Sequence, residues 1–171
     1  MREFKQIQQK DVDKNVFELI GDDWMLVTAG TTEACNMMTA SWGGLGVLWH
    51  YPVAFVFVRP QRYTDLFIRE NDFLSLCFFE ESYRDVLKLC GSKSGRDIDK
   101  VKETGLTVRE GEHGTVWFDE SKLVLECRKL YAGAIDSNNF IDTSIISKEY
   151  PSEDFHHIYI AEIQRCMVPK D

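Results

Sequence analysis

The strongest constraint on what this chain can fold into is a series of short apolar runs with no long amphipathic helices between them. VAFVFV (53–58) and FLSLCFF (73–79) are rich in β-branched and aromatic residues and bounded by turn formers, Pro60 among them. Runs of that length and composition read as buried strands. WMLVTAG (24–30), TVWF (115–118), LVLECRKLYAGAI (123–135) and HIYIAEI (157–163) add further strands. In the last of them Ile158 and Ile160 share one face. Helical signals are brief. Val12, Val16, Leu19 and Ile20 recur at helical spacing over 11–20, with Gly21 as a stop. Thr64 is placed to cap a turn through Leu66, Phe67 and Ile68, and Ser82 to cap YRDVLKLCG up to Gly91. Asp97 is placed to cap DIDKVKETG, closed by Gly105. Six or seven strands against a few short helices disfavour a doubly wound parallel sheet. The expected fold class is mainly β: an antiparallel barrel with short helices covering its openings.

At 171 residues the chain is long enough for one domain with a real core, and residues 1–171 are read as such a domain. Hydrophobic residues at 44% against 28% charged argue against disorder. No apolar run approaches the ~20 residues of a membrane span. The start, MREFKQIQQKDVDK, has no apolar stretch that could act as a secretory signal, so the expected location is cytoplasmic. Five scattered cysteines are expected as reduced thiols, with Cys77 and Cys127 acting as small buried hydrophobes. The four histidines form no zinc-type array with them, and no metal is expected. A net charge of −8 speaks against nucleic acid as a partner. Residues 53–100 are neutral, with eight basic and eight acidic side chains, so an anion is most plausibly accepted there.

Three segments carry candidate chemistry. In NMMTASWGGLGVLW (36–49), Asn36, Thr39 and Ser41 alternate with Met38, Ala40 and Trp42. A flat heteroaromatic ligand needs that mixture, apolar contact for its faces and polar groups for its edges. The competing reading is a strand and a glycine turn with Trp42 and Trp49 in the core. In VRPQRYT (58–64), Arg59 and Arg62 precede a helix start at Thr64, a combination suited to phosphate. The same arginines could instead be solvated or paired with Asp65 and Glu70. In CGSKSGRD (90–97), Ser92, Lys93, Ser94, Gly95 and Arg96 could cradle an anion without forming a P-loop; a plain exposed connection explains them nearly as well. His156 and His157, beside Asp154, could orient a ligand or lie on the surface.

Taken together, Asn36–Trp49 with Pro52–Thr64, then Cys90–Lys100 and the terminal H-x-I-Y-I-A-E-I (156–163), resemble the flavin reductase family of FMN-binding split barrels, most nearly its flavoredoxin-like branch. The resemblance spans about residues 10–165. It implies a six-stranded antiparallel split barrel working as a homodimer, with FMN near the subunit interface and NAD(P)H as co-substrate of a flavin reductase. It places Asn36, Met38, Thr39, Ala40, Ser41 and Trp42 along the ring and ribityl chain. Arg59, Arg62 and Thr64 would meet the phosphate, with Ser92, Lys93, Ser94 and Arg96 closing over it. His156 matches a position that often lies beside the nicotinamide. Phe155 and Ala161 depart from the family pattern, which commonly has Asp and Gly there. The alternatives implied are an FMN electron carrier serving a redox partner protein, and a binding module without enzymatic activity.

Overall fold

The computed structural model describes residues 1–170. Its main sheet has eight strands: β1 (Phe4–Ile7), β2 (Met25–Gly30), β3 (Cys35–Ala40), β4 (Gly43–Leu48), β5 (Tyr51–Val58), β6 (Phe73–Phe78), β9 (Leu123–Ala134) and β10 (His157–Pro169). A separate ribbon pairs β7 (Val108–Glu110) with β8 (Val116–Phe118). In the main sheet the order is β3-β2-β6-β9-β10-β5-β4, with β1 on β10, and every pairing is antiparallel. The architecture is the split barrel expected from the sequence, with β1 and β4 added at its margins.

The two ends of that order, β3 and β4, are consecutive in the chain and joined only by Ser41 and Trp42. The barrel is therefore closed along this seam by covalent chain and not by a ladder of hydrogen bonds. Side-chain alternation sorts the core into two layers. Met25, Val27 and Ala29 of β2 meet Val56, Val58 and Tyr159 inside the barrel. Leu26 faces the other way and joins Met37, Leu87, Trp117 and Phe118 under the helices. Burial on both faces explains why MLVTAG reads as an unbroken apolar run.

Helix starts differ from the sequence expectation. Residues 9–11 form a 3-10 turn, and α1 (Val16–Gly21) begins after Asn15, whose side chain accepts from the Phe17 amide. Arg62, not Thr64, is the N-cap of α2 (Tyr63–Glu70). Thr64 lies in the first turn, where its hydroxyl accepts from Asn36 instead of capping the helix. Tyr83, not Ser82, precedes α3 (Arg84–Ser92), since Ser82 belongs to a 3-10 turn over 81–83. Asp99, not Asp97, caps α4 (Lys100–Thr104), accepting from the Lys102 amide, and Gly105 ends it in the left-handed region as expected. A fifth helix, α5 (Ser144–Glu149), has no apolar spacing that announces it. Among the described residues no helix is long and apolar enough to cross a membrane. All five cysteines are free, with Cys77 and Cys127 fully buried.

The tryptophans correct the core reading of 36–49. Trp42 is 47% exposed and Trp49 51% exposed, so neither is a core aromatic. Trp49 and His50 form the two-residue turn between β4 and β5, at φ 53° and 65°. A type I′ hairpin requires that geometry, and Asn-Gly is its natural occupant. A left-handed conformation costs a residue with a Cβ about 1–2 kcal/mol. Replacing the pair as Trp49→Asn with His50→Gly should therefore stabilise the fold by about 1–2 kcal/mol in urea unfolding; a lower midpoint would show that the exposed indole contributes more than the strain costs.

Candidate functional site

A cleft of about 250 Å³ opens beside the seam, lined by Met38, Thr39, Ala40, Ser41 and Trp42 on one side. Phe57, Arg59, Arg62 and His156 line the other. Thr39 and Ser41 also border an adjoining recess of about 430 Å³, with Trp24, Leu87, Lys88, Gly91 and Ser92. The end of β3 thus stands between two neighbouring hollows. A third cavity, about 610 Å³, lies at the start of β3 and contains Cys35, Asn36, Tyr63, Arg96 and Lys100.

The structure therefore divides the residues singled out in the sequence. Met38–Trp42, Arg59, Arg62 and His156 share the cleft, and Ser92 reaches its annex. Asn36 and Arg96 line the third cavity. Thr64 is buried behind Asn36, whose Nδ2 donates to Thr64 Oγ1 at 2.7 Å. Lys93 is exposed and Ser94 half-buried, and neither lines these three hollows. Gly95 presses on Asn36 so closely that a Cβ there would sit 2.0 Å from Asn36 Oδ1, so only glycine fits.

The arginines are held in different ways. Arg59 pairs with Asp154 at 2.6 Å, donates to the Glu149 carbonyl at 2.8 Å and lies over the Tyr150 ring. Its charge is largely committed to bracing segment 149–154. Arg96 stacks on Tyr63 and donates to the Gln61 carbonyl. Arg62 is half-buried and has no carboxylate within ion-pairing distance among the described residues. Its Nη1 donates to the Gly91 carbonyl at 2.9 Å and its Nη2 to the Cys90 carbonyl at 3.3 Å, at the end of α3. Those carbonyls carry the negative end of the helix dipole. Burial still holds the guanidinium below its ordinary pKa. Thr39 Oγ1 donates to the Leu87 carbonyl at 2.6 Å, tying β3 to the same helix.

The flavin reductase like domain family has a model that matches residues 19–171. The chain belongs to that family. Among solved structures, it resembles a flavoredoxin from Methanosarcina acetivorans at 23% identity and TM-score 0.66, over 94% of this chain and 75% of that one. The FMN-binding domain of a flavin reductases-like enzyme from Shewanella baltica superposes at TM-score 0.69 and 17% identity, covering 98% of this chain and 78% of that one. A flavoredoxin of Desulfovibrio vulgaris gives 0.67 and 21%, with 95% and 76% covered. No functionally curated protein matches the chain.

In this flavin reductase-like chain the sequence did not point to Phe57 or Tyr150, and no local motif marks either. Tyr150 Oη lies 2.8 Å from His156 Nδ1, and the His156 ring packs against Trp42 at 5.4 Å. Burial, reinforced by Arg59, lowers the His156 pKa to about 4. The ring is therefore neutral at pH 7, and a Tyr150 hydroxyl donating to Nδ1 leaves the proton on Nε2 as a donor. In the unfolded chain the same ring titrates near 6.5. The unfolded state therefore binds the extra proton first, and folding stability is lost as pH falls from about 6.5 to 4. Urea unfolding of the wild type and His156→Gln at pH 7 and pH 4.5 should show a smaller loss in the variant; equal losses would place the ring's titration elsewhere.

Proposed function

We propose that this chain is an FMN-binding flavoprotein oxidoreductase that uses the seam cleft as its flavin site and acts as an NAD(P)H-dependent flavin reductase. The observation that carries the reading is Arg62, a half-buried cation at the cleft wall without a carboxylate partner among the described residues. A half-buried charge of that kind favours an anion beside it, and phosphate matches a guanidinium in shape and charge. The remaining lining fits the rest of FMN. Trp42 and Phe57 offer apolar surface to a flat ring, while Ser41, the seam backbone and the neutral His156 offer polar groups for its edges. Bound there, FMN would supply the redox chemistry, taking hydride from a reduced nicotinamide and passing electrons to an acceptor.

The chain's own residues then have defined tasks. Arg62 holds the phosphate, with Ser92 at the annex as a further donor. Arg59 keeps segment 149–156 against the cleft through Asp154 and Glu149, and so fixes His156. His156 contributes an uncharged N–H beside Trp42, the position taken here for the nicotinamide. Trp42 and Phe57 keep water from the ring. Asn36 and Thr64 support β3 from behind, and Arg96 with Ser94 shapes the loop that rests on Asn36.

This reading also takes the working unit as a homodimer. Phe55 and Phe57 of β5 lie beside Ile160 and Ile158 of β10, and Tyr131 of β9 follows in the next strand. All five are incompletely buried on the outward face of the sheet. Gly44 and Gly133 add no side chain that would hold a second surface away. Phe57 belongs both to this face and to the cleft, so a second copy seated here would wall in the flavin. Ile160→Asp should halve the solution mass from twice 19.8 kDa to 19.8 kDa in light scattering and weaken FMN retention. A wild-type mass of one chain would remove the dimer from the proposal.

One feature favours a second reading, an electron carrier with little nicotinamide oxidation. Phe155 stacks on Tyr150 at 4.7 Å where the family pattern commonly has a carboxylate, which alters the surroundings of His156. Stopped-flow mixing of the FMN-loaded protein with NADH and with NADPH separates the two: rapid bleaching supports the reductase, and absent bleaching with rapid reduction by a protein donor supports the carrier. Arg62→Ala should raise the Kd for FMN at least about tenfold, from lost charge-assisted bonds. An unchanged Kd would remove Arg62 from the site, and failure of the wild type to bind FMN would end the proposal.

A further inference from the structure

The barrel also opens at a second place, which shares no lining residue with the seam cleft. One edge of β10 pairs with β5 over 157–162 and with β1 over 166–169. Among the described residues, 163–165 have no strand beside them on that edge. The Ile163 carbonyl is met there by the Gln9 side chain, whose Nε2 donates to it at 2.8 Å. A cavity of about 380 Å³ lies at this break. Its floor is barrel interior, formed by Leu125 and Ile163, both almost fully buried. The β4–β5 hairpin contributes Leu45, Val47 and Pro52 to the wall, and the N-terminal segment contributes Val12 and Val16. Gln8 and Lys10, both exposed, lie at the rim.

Two features leave this cavity without a partner from the chain itself. Val47 shares the inward face of β4 with Leu45 by strand alternation. Leu45 packs against the core, yet Val47 is 77% exposed. Lys10 is the one charged residue of the lining, and among the described residues no carboxylate lies within ion-pairing distance of it. The nearest acids in sequence, Asp11 and Asp13, line a different hollow together with Lys5, Lys14 and Lys122. An apolar well thus carries one uncommitted cation at its mouth.

We propose that this cavity binds a small amphipathic acid, an aliphatic monocarboxylate of medium chain length. Its tail would lie on Leu45, Val47, Pro52, Leu125 and Ile163, with the carboxylate at Lys10 and the Gln8 amide beside it. Barrel mouths commonly hold ligands, and a mostly apolar lining with a few polar groups fixes their orientation. The chemistry of the wall selects the class. No aromatic side chain lines the cavity, so a flat ring has nothing to stack on, whereas a flexible tail can follow branched aliphatic side chains. One cation suits a single negative charge, and a phosphate would bring close to two. Each methylene taken from water onto this surface should tighten binding about threefold to fourfold. The site stands apart from the flavin reading and needs no redox step.

The test titrates octanoate into the FMN-loaded and the flavin-free chain by calorimetry, with backbone amide shifts to locate it. Octanoate should bind both forms alike, with shifts gathered at 8–12, 45–47 and 163. Hexanoate, two methylenes shorter, should bind roughly tenfold more weakly. 1-Octanol, which keeps the tail and lacks the charge, should bind about threefold more weakly, and Lys10→Gln should erase that difference. Val47→Glu, at an exposed position, should keep the fold and weaken octanoate about tenfold by setting a like charge beside it. No octanoate binding at millimolar concentration, equal affinity for hexanoate and octanoate, or an unchanged affinity in Val47→Glu overturns the proposal. A preference for the acid that survives Lys10→Gln overturns it too. Displacement of FMN by octanoate would put the acid in the flavin cleft, and binding seen only in Ile160→Asp would mean that a second copy covers the mouth; either result also overturns it. Should the chain bind no FMN, the flavin-free titration decides alone, so the two readings fail separately.

Discussion

Everything at the site depends on how the barrel is closed. β3 and β4 stand at opposite ends of the sheet, yet only Ser41 and Trp42 separate them in the chain. A ladder across that gap would bring the strands to about 4.8 Å and fill the space with paired backbone. Because the connection is covalent, the gap stays open enough for a cleft while its width is still fixed. The two residues that span it are exposed, so the polar backbone there meets solvent or a ligand, never a dry core.

The surrounding elements are pinned to that seam by polar contacts from four directions. Thr39 ties β3 to α3, Asn36 ties it to α2, and Arg62 and Lys100 both close on the last turn of α3. Arg59 holds the segment before β10, and Tyr150 holds His156. Most of these ties join residues far apart in sequence. The helices are short, and none owes its place to propensity alone. Their positions come from these contacts and from the apolar layer beneath them.

How much of this was legible follows from what each signal depends on. The strands β2 and β6 were plain because burial on both faces demands continuous apolar sequence, and β5 was plain because both of its faces are apolar. β1, with two adjacent polar residues among its four and one neighbour, and β4, with three glycines, were not, because each is held by its partner strand and not by its own composition. Caps were misplaced by one or two residues where two candidates compete, as with Asp97 and Asp99, since only tertiary contacts choose between them. At the site, the run 38–42 was recognisable from its mixture of apolar and hydroxyl groups. The division of labour among Arg59, Arg62 and Arg96 was not. Asp154, the carbonyls of α3 and the Tyr63 ring decide it, and none of these announces its partner in sequence.

The topology also sets an order of assembly. β5 is complete by residue 58, yet its neighbour on one side is β10, which begins at residue 157. During synthesis at roughly 5–20 residues per second, the β4–β5 hairpin would wait about 5–20 s with its aromatic edge uncovered. β1 waits longer still, since it too pairs only with β10. β10, which pairs with β1, β5 and β9, is thus synthesised after every strand it joins, and its arrival converts a set of hairpins into a barrel.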